Sequence, residues 1–152
     1  MSYEPLVIAF LCFWCSYSGA DLAGMSRMEY PANIRVIKVM CSSRVDPTHV
    51  LYALKNGADG VLISGCHPGD CHYVNGNYRT QRRAALLGEM LKQLGIEPER
   101  VRVEWVSASE GEKFARIVSD FVEELRKLGP NPLKKESGRC KVCRHLGRST
   151  SF

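Results

Sequence analysis

What the sequence lacks narrows it first. Its 152 residues contain no apolar run approaching the roughly 20 that a membrane-spanning helix needs. The N-terminal stretch Leu6–Phe13 has no basic region before it and no small-residue cleavage site after it, so a signal peptide is rejected and no membrane span is expected. No Gly-x-Gly-x-x-Gly fingerprint occurs; the glycines of Ser18–Gly24 near a helix start do not make a nucleotide site. A basic face is also missing from most of the chain. The net charge is +5, yet residues 1–128 carry 15 basic and 15 acidic side chains, and the excess lies beyond Gly129, where six basic residues meet only Glu136. That distribution argues against nucleic acid as a partner.

Cysteine is plentiful. Seven cysteines is an odd count, in a chain long enough to bury its own core, so a disulfide framework explains them poorly. A reducing compartment, the cytoplasm, and metal or redox use fit them better.

Hydropathy along the chain alternates between two periods. Leu6–Leu11 is a continuous apolar run, as in a central strand covered on both faces. Ser18–Ser26 reads as a short helix ended by Tyr30-Pro31. Ile34–Met40 alternates as a strand nearer an edge. Asp46 with Pro47 marks a helix start, and Asn56-Gly57 its stop. Gly60–Ser64 is a third strand, Thr80–Leu94 a helix, and Val101–Val106 a fourth strand. Ser107 or Ser109 can cap a last helix with Phe114, Ile117, Val118, Phe121, Leu125 and Leu128 on one stripe. Four strands alternating with helices predict an α/β fold. The sheet is small, open and mostly parallel, flavodoxin-like or Rossmann-like, with helices on both faces. The domain spans 1–130, and residues 131–152 form a basic, extended C-terminal tail.

In open parallel sheets the functional crevice lies beyond the carboxyl ends of the strands. Cys12 and Cys15 follow the first strand, Cys41 the second, and Cys66 and Cys71 the third. The last pair sits in Gly65-Cys66-His67-Pro68-Gly69-Asp70-Cys71-His72, a tight Gly/Pro loop. Five thiols at one sheet edge suit an iron–sulfur cluster, for which thiolates are the usual ligands. A zinc site, with His67 or His72 recruited, also fits thiolates. Dithiol exchange at Cys12-Phe13-Trp14-Cys15, as in thioredoxin-like proteins, leaves Cys41, Cys66 and Cys71 without a role. On spacing, the iron–sulfur reading leads and zinc stays close behind. In the tail, Cys140, Cys143 and His145 supply a half-site for zinc or a second cluster, or unligated thiols. Arg79, Arg82 and Arg83 read as a solvated helix face that is also able to meet an acidic partner, and Trp14 and Trp105 as packing residues.

The segments Phe13–Tyr17, Val39-Met40-Cys41-Ser42-Ser43-Arg44-Val45, Gly65–His72, Gly76-Asn77-Tyr78 and Arg82-Arg83 resemble a known family. It is the delta, or D, iron–sulfur subunit of methyl-viologen-reducing hydrogenase, from methanogenic archaea and their relatives. The resemblance covers roughly residues 5–130. It implies a 2Fe–2S electron carrier that performs no bond chemistry itself. Its electrons come from a hydrogenase or a formate dehydrogenase. They pass to the flavin-containing A subunit of heterodisulfide reductase, where bifurcation takes place. The residues carried over as metal ligands are Cys12, Cys15, Cys41, Cys66 and Cys71. Five exceed the four a 2Fe–2S centre takes, and Cys12 or Cys15 is the expected spare.

Overall fold

A computed structural model describes residues 3–134. Strands β1 (Val7–Cys12), β2 (Ile34–Val39), β3 (Gly60–Gly65) and β4 (Val101–Trp105) alternate with helices α1 (Ser16–Met25), α2 (Pro47–Lys55), α3 (Gly76–Gln93) and α4 (Gly111–Leu128). All four strands are parallel, in the order β2-β1-β3-β4. The expected α/β class and open sheet are therefore observed, with the parallel pairing complete. β1 and β3 occupy the centre and are buried along almost their whole length, which is why they read as unbroken apolar runs. β2 lies at an edge, and its Val36 and Ile37 are exposed.

Two apolar layers sandwich the sheet. On one face, Val7, Ala9, Leu11 and Leu62 pack against Ala23 of α1 and the stripe Phe114, Ile117, Val118, Phe121 and Leu125 of α4. On the other, Phe10, Val61 and Ile63 meet Val50 and Leu54 of α2 and Leu87 and Leu91 of α3. Helix α2 starts where expected. The Asp46 carboxylate accepts the Thr48 amide (2.9 Å), and the exposed His49 ring accepts the Asp46 amide (3.2 Å), closing a capping box.

Strand ends shift by one residue, and three helix starts differ from the sequence reading. Helix α1 begins at Ser16, two residues early, because the Ser16 hydroxyl accepts the Cys12 amide (2.9 Å) and donates to the Ser64 carbonyl (2.8 Å). Helix α3 begins at Gly76, four residues before Thr80. Helix α4 is entered through Glu110 and not through a serine cap: Ser107 gives its amide to the Glu110 carboxylate (2.8 Å).

At the amino ends of the strands a buried polar knot ties the end of α4 to the sheet. Arg100, fully buried, pairs with Glu97 (2.7 Å) and donates to the carbonyls of Asp59, Gly129 and Pro130. Asp59, also fully buried, accepts the amides of Leu6 and Asn131 and the Lys134 ammonium (2.9 Å). Burial opposes the Asp59 anion, but these donors outweigh it and hold its pKa below the usual carboxylate range. Residues 131–134 thus pack into the domain, and the rest of the expected tail, with Cys140, Cys143 and His145, lies outside the described residues. Among the described residues no helix is long and apolar enough to cross a membrane.

Candidate metal centre

The strand order turns back on itself at β1: the chain goes first to β2 on one side, then to β3 on the other. The crevice this reversal opens lies beyond the carboxyl ends of β1 and β3. Cys12 ends β1 and Cys15 immediately precedes α1; Cys41 follows β2, and Cys66 follows β3. Cys71 comes from the loop behind Cys66. All five side chains are buried, none above 9% exposed, and they form one contiguous cluster of free thiols. The sequence-predicted residues are thus brought together without exception.

Within the cluster the sulfurs fall into two groups. The Sγ atoms of Cys12, Cys15 and Cys66 lie within 4.8 Å of one another. The Sγ atoms of Cys41 and Cys71 lie 4.0 Å apart. Neither histidine of the loop joins them. His67 holds Nε2 against the Glu110 carboxylate at 2.7 Å, and His72 stacks on Trp14 with ring centroids 4.0 Å apart. The donor set is all sulfur, which removes the imidazole ligands that a mixed zinc site would use.

The surrounding polar groups favour negative charge on sulfur. The neighbouring Cys15 thiol, with the amides of Trp14 and Ser42, outweighs burial and lowers the pKa of Cys12. The adjacent Cys12 sulfur, together with burial, pushes the Cys15 thiol well up. Burial also raises Cys66. At Cys71 burial acts upward but is outweighed by the amides of Tyr73, Asn77 and Gly76 and by the Cys41 thiol, so the pKa falls. In each group one sulfur has its pKa lowered, towards the thiolate form that binds metal. Amides aimed at a sulfur stabilise its charge whether it is free or ligated.

Two residues with no role assigned from the sequence complete the site. Gly76 opens α3 directly beneath the second group: a Cβ built there would stand 2.4 Å from the Cys41 sulfur and 2.9 Å from the Cys71 sulfur. Only glycine leaves the room these two thiols fill. Asn77, 1% exposed, donates through Nδ2 to the carbonyls of Cys66 (3.3 Å) and His67 (2.6 Å) and so pins the loop to the helix. The Gly-Asn pair directly behind the cysteine loop was the available signal for both. The early start of α3 has the same origin, since its first turn is spent on the cysteines and not on the apolar core.

The donor chemistry and the glycine-made space fit a thiolate-ligated metal group. Dithiol exchange fits less well, because Cys12 and Cys15, 1% and 5% exposed, are closed to an external disulfide. Around the cluster the surface is aromatic: Trp14 and Tyr73 are exposed, and Trp14 Nε1 lies 3.4 Å from the Tyr73 hydroxyl.

Comparison with known proteins points the same way. Residues 7–129 match the family described as methyl-viologen-reducing hydrogenase, delta subunit. The D iron-sulfur subunit of the vhc F420-non-reducing hydrogenase from Methanococcus voltae is 54% identical over 138 residues, covering 91% of this chain and 96% of that protein. The corresponding D polypeptide of Archaeoglobus profundus is 53% identical over 128 residues, 84% of this chain and 93% of the relative. A segment of the A polypeptide of ferredoxin:CoB-CoM heterodisulfide reductase from Methanosarcina mazei is 53% identical over 134 residues, which are 87% of this chain but 17% of that protein.

Proposed function

The chain belongs to the methyl-viologen-reducing hydrogenase delta-subunit family, and on that footing we propose that it is an electron-transfer subunit holding a 2Fe–2S cluster. The observation that carries this reading is the single buried cluster of five free thiols at the sheet's switch point, with both loop imidazoles turned elsewhere. Four of Cys12, Cys15, Cys41, Cys66 and Cys71 hold the iron, and Cys12 or Cys15 is the thiol left over.

When bound, the cluster supplies a one-electron couple. The chain's own residues do the rest. Thiolates bind the iron, and the amides around Cys12 and Cys71 stabilise the negative charge that ligation fixes on sulfur. Burial keeps water off the sulfurs, and Asn77 holds the loop that carries Cys66 and Cys71. That couple would carry one electron at a time between donor and acceptor, with no bond made to a substrate.

The donor is a hydrogenase or formate dehydrogenase. The acceptor is the flavin-containing A subunit of heterodisulfide reductase, in a bifurcating complex in the cytoplasm. Support comes from the relatives: some are named as D iron-sulfur subunits of hydrogenases, and others carry this domain as one segment of the heterodisulfide reductase A polypeptide. The three-sulfur group also favours a second reading, a zinc-stabilised adaptor that joins donor to acceptor. Anaerobic electron flow decides between them. Reduced viologen is supplied to the full chain with the heterodisulfide reductase A polypeptide, and flavin reduction is followed by absorbance. The relay predicts that Cys66→Ser and Cys71→Ser abolish flavin reduction while the proteins still assemble. Undiminished flow in both variants supports the adaptor and sinks the relay.

A further inference from the structure

One cavity, about 360 Å³, opens on the solvent side of the cysteine cluster and shares the Cys41 wall with it. Arg44 and Arg79 line it, and no carboxylate does. Neither guanidinium has an ion pair or hydrogen-bond partner among the described residues, whereas Arg100, Arg102, Arg116 and Arg126 all pair with glutamates. Two like charges brought to one cavity without a counter-charge repel each other, so the arrangement contributes nothing to folding.

The framework that presents them is fixed. Arg83 Nη1 donates to the Ser43 carbonyl, and Thr80 Oγ1 donates to Ser42 Oγ (2.8 Å), so the turn bearing Arg44 is clamped to α3, which bears Arg79. Met40 and Tyr73, both exposed, give the cavity an apolar edge, and Val74, next in the chain to Tyr73, is 80% exposed. Val74 also holds φ +67°, a left-handed conformation that a β-branched residue adopts only under strain. Its amide is tied to the Cys71 carbonyl at 2.8 Å. A strained valine pointing into water is costly for the free chain twice over, and such costs gather at sites of contact.

We propose that this cavity is a socket for an acidic side chain of the protein that exchanges electrons with the chain, with Met40, Tyr73 and Val74 as the apolar collar the partner covers. The inference rests on the electron-carrier reading and extends it, because a partner seated here stands against Cys41. The collar selects a protein over a free anion, which would fill the socket and leave the apolar rim wet. Nucleic acid is disfavoured by the zero charge sum of residues 1–128.

The test measures binding of the full, iron-loaded chain to the heterodisulfide reductase A polypeptide, and separately to the hydrogenase, by calorimetry across a salt series. Arg44→Glu/Arg79→Glu is compared with Arg44→Lys/Arg79→Lys, and the visible spectrum checks that each variant keeps its iron. The proposal expects the double reversal to weaken binding to one partner by about a hundredfold and to flatten its salt dependence. The lysine pair keeps most of the affinity, and Val74→Asp weakens the same partner. Equal affinity and salt dependence in wild type and double reversal, with wild type binding, overturns the socket and leaves the electron-carrier reading standing. If wild type binds neither protein, both fall. A thermal shift with inorganic phosphate that the double reversal removes, alongside unchanged partner affinity, identifies a free-anion site and also overturns the proposal.

Discussion

Gly76→Ala is the sharpest single perturbation of the site. The added methyl would sit 2.4 Å from the Cys41 sulfur and 2.9 Å from the Cys71 sulfur. Ordinary contact begins near roughly 3.5 Å, so a sulfur or the first turn of α3 must move by about 1 Å. Overpacking of that size costs about 1–3 kcal/mol, and here it falls on two of the five thiols. Gly88, in the same helix, provides the control, because a Cβ there meets nothing within 4 Å. Helix propensity alone favours alanine over an interior glycine by about 1 kcal/mol. Gly88→Ala should therefore raise stability and bind iron as the wild type does. Gly76→Ala should lose most of its iron and visible absorbance after anaerobic purification, and lose about 1–3 kcal/mol in urea unfolding. A Gly76→Ala protein with a wild-type spectrum and full iron content would show that Cys41 and Cys71 do not hold the cluster as a pair.

Of the five single Cys→Ser variants, iron analysis should find four depleted and one loaded, the loaded one being Cys12→Ser or Cys15→Ser; iron retained in Cys66→Ser contradicts the ligand set. Arg100→Met removes a fully buried guanidinium that serves Glu97 and three carbonyls, so urea unfolding should show a loss of about 3 kcal/mol. Iron content should not change, since this knot lies at the opposite end of the sheet from the thiols. The Glu110 carboxyl is held down to about 2, from an ordinary 4.5, chiefly by the Ser107 amide and then by His67. A depressed carboxyl contributes stability that is complete above its unfolded pKa and fades as pH falls through its folded pKa. Wild type should therefore lose its advantage over Glu110→Gln between about pH 4.5 and about pH 2, read by urea unfolding at stepped pH. Ser64 Oγ is buried with no hydrogen-bond partner among the described residues, and Ser64→Ala should stabilise the chain by about 1 kcal/mol.

Much of the fold was legible because its strong signals are local. Buried central strands leave apolar runs, as at Val7–Cys12 and Gly60–Gly65, and Asp46-Pro47 announces α2 by the chemistry of its own first turn. The convergence of the cysteines was legible at one remove, since parallel pairing sends every strand's carboxyl end to the same edge. The division of the sulfurs into three and two was not, because it depends on angles between loops that no spacing encodes. Apolar periodicity also missed the start of α3: Gly76, Asn77 and Thr80 are buried for the site and carry no hydrophobic signal. Glu110 took the place expected of a serine cap because it answers His67, 43 positions away in the chain. Likewise Asp59 and Asn131, 72 positions apart, meet only once the sheet has formed.

The central claim is most directly tested by metal content and redox stoichiometry on the full chain purified without oxygen. A 2Fe–2S carrier should be coloured, with about two iron and two acid-labile sulfide per chain, and should take up about one electron on reductive titration and then show a paramagnetic signal. A colourless chain with one zinc and no iron contradicts it.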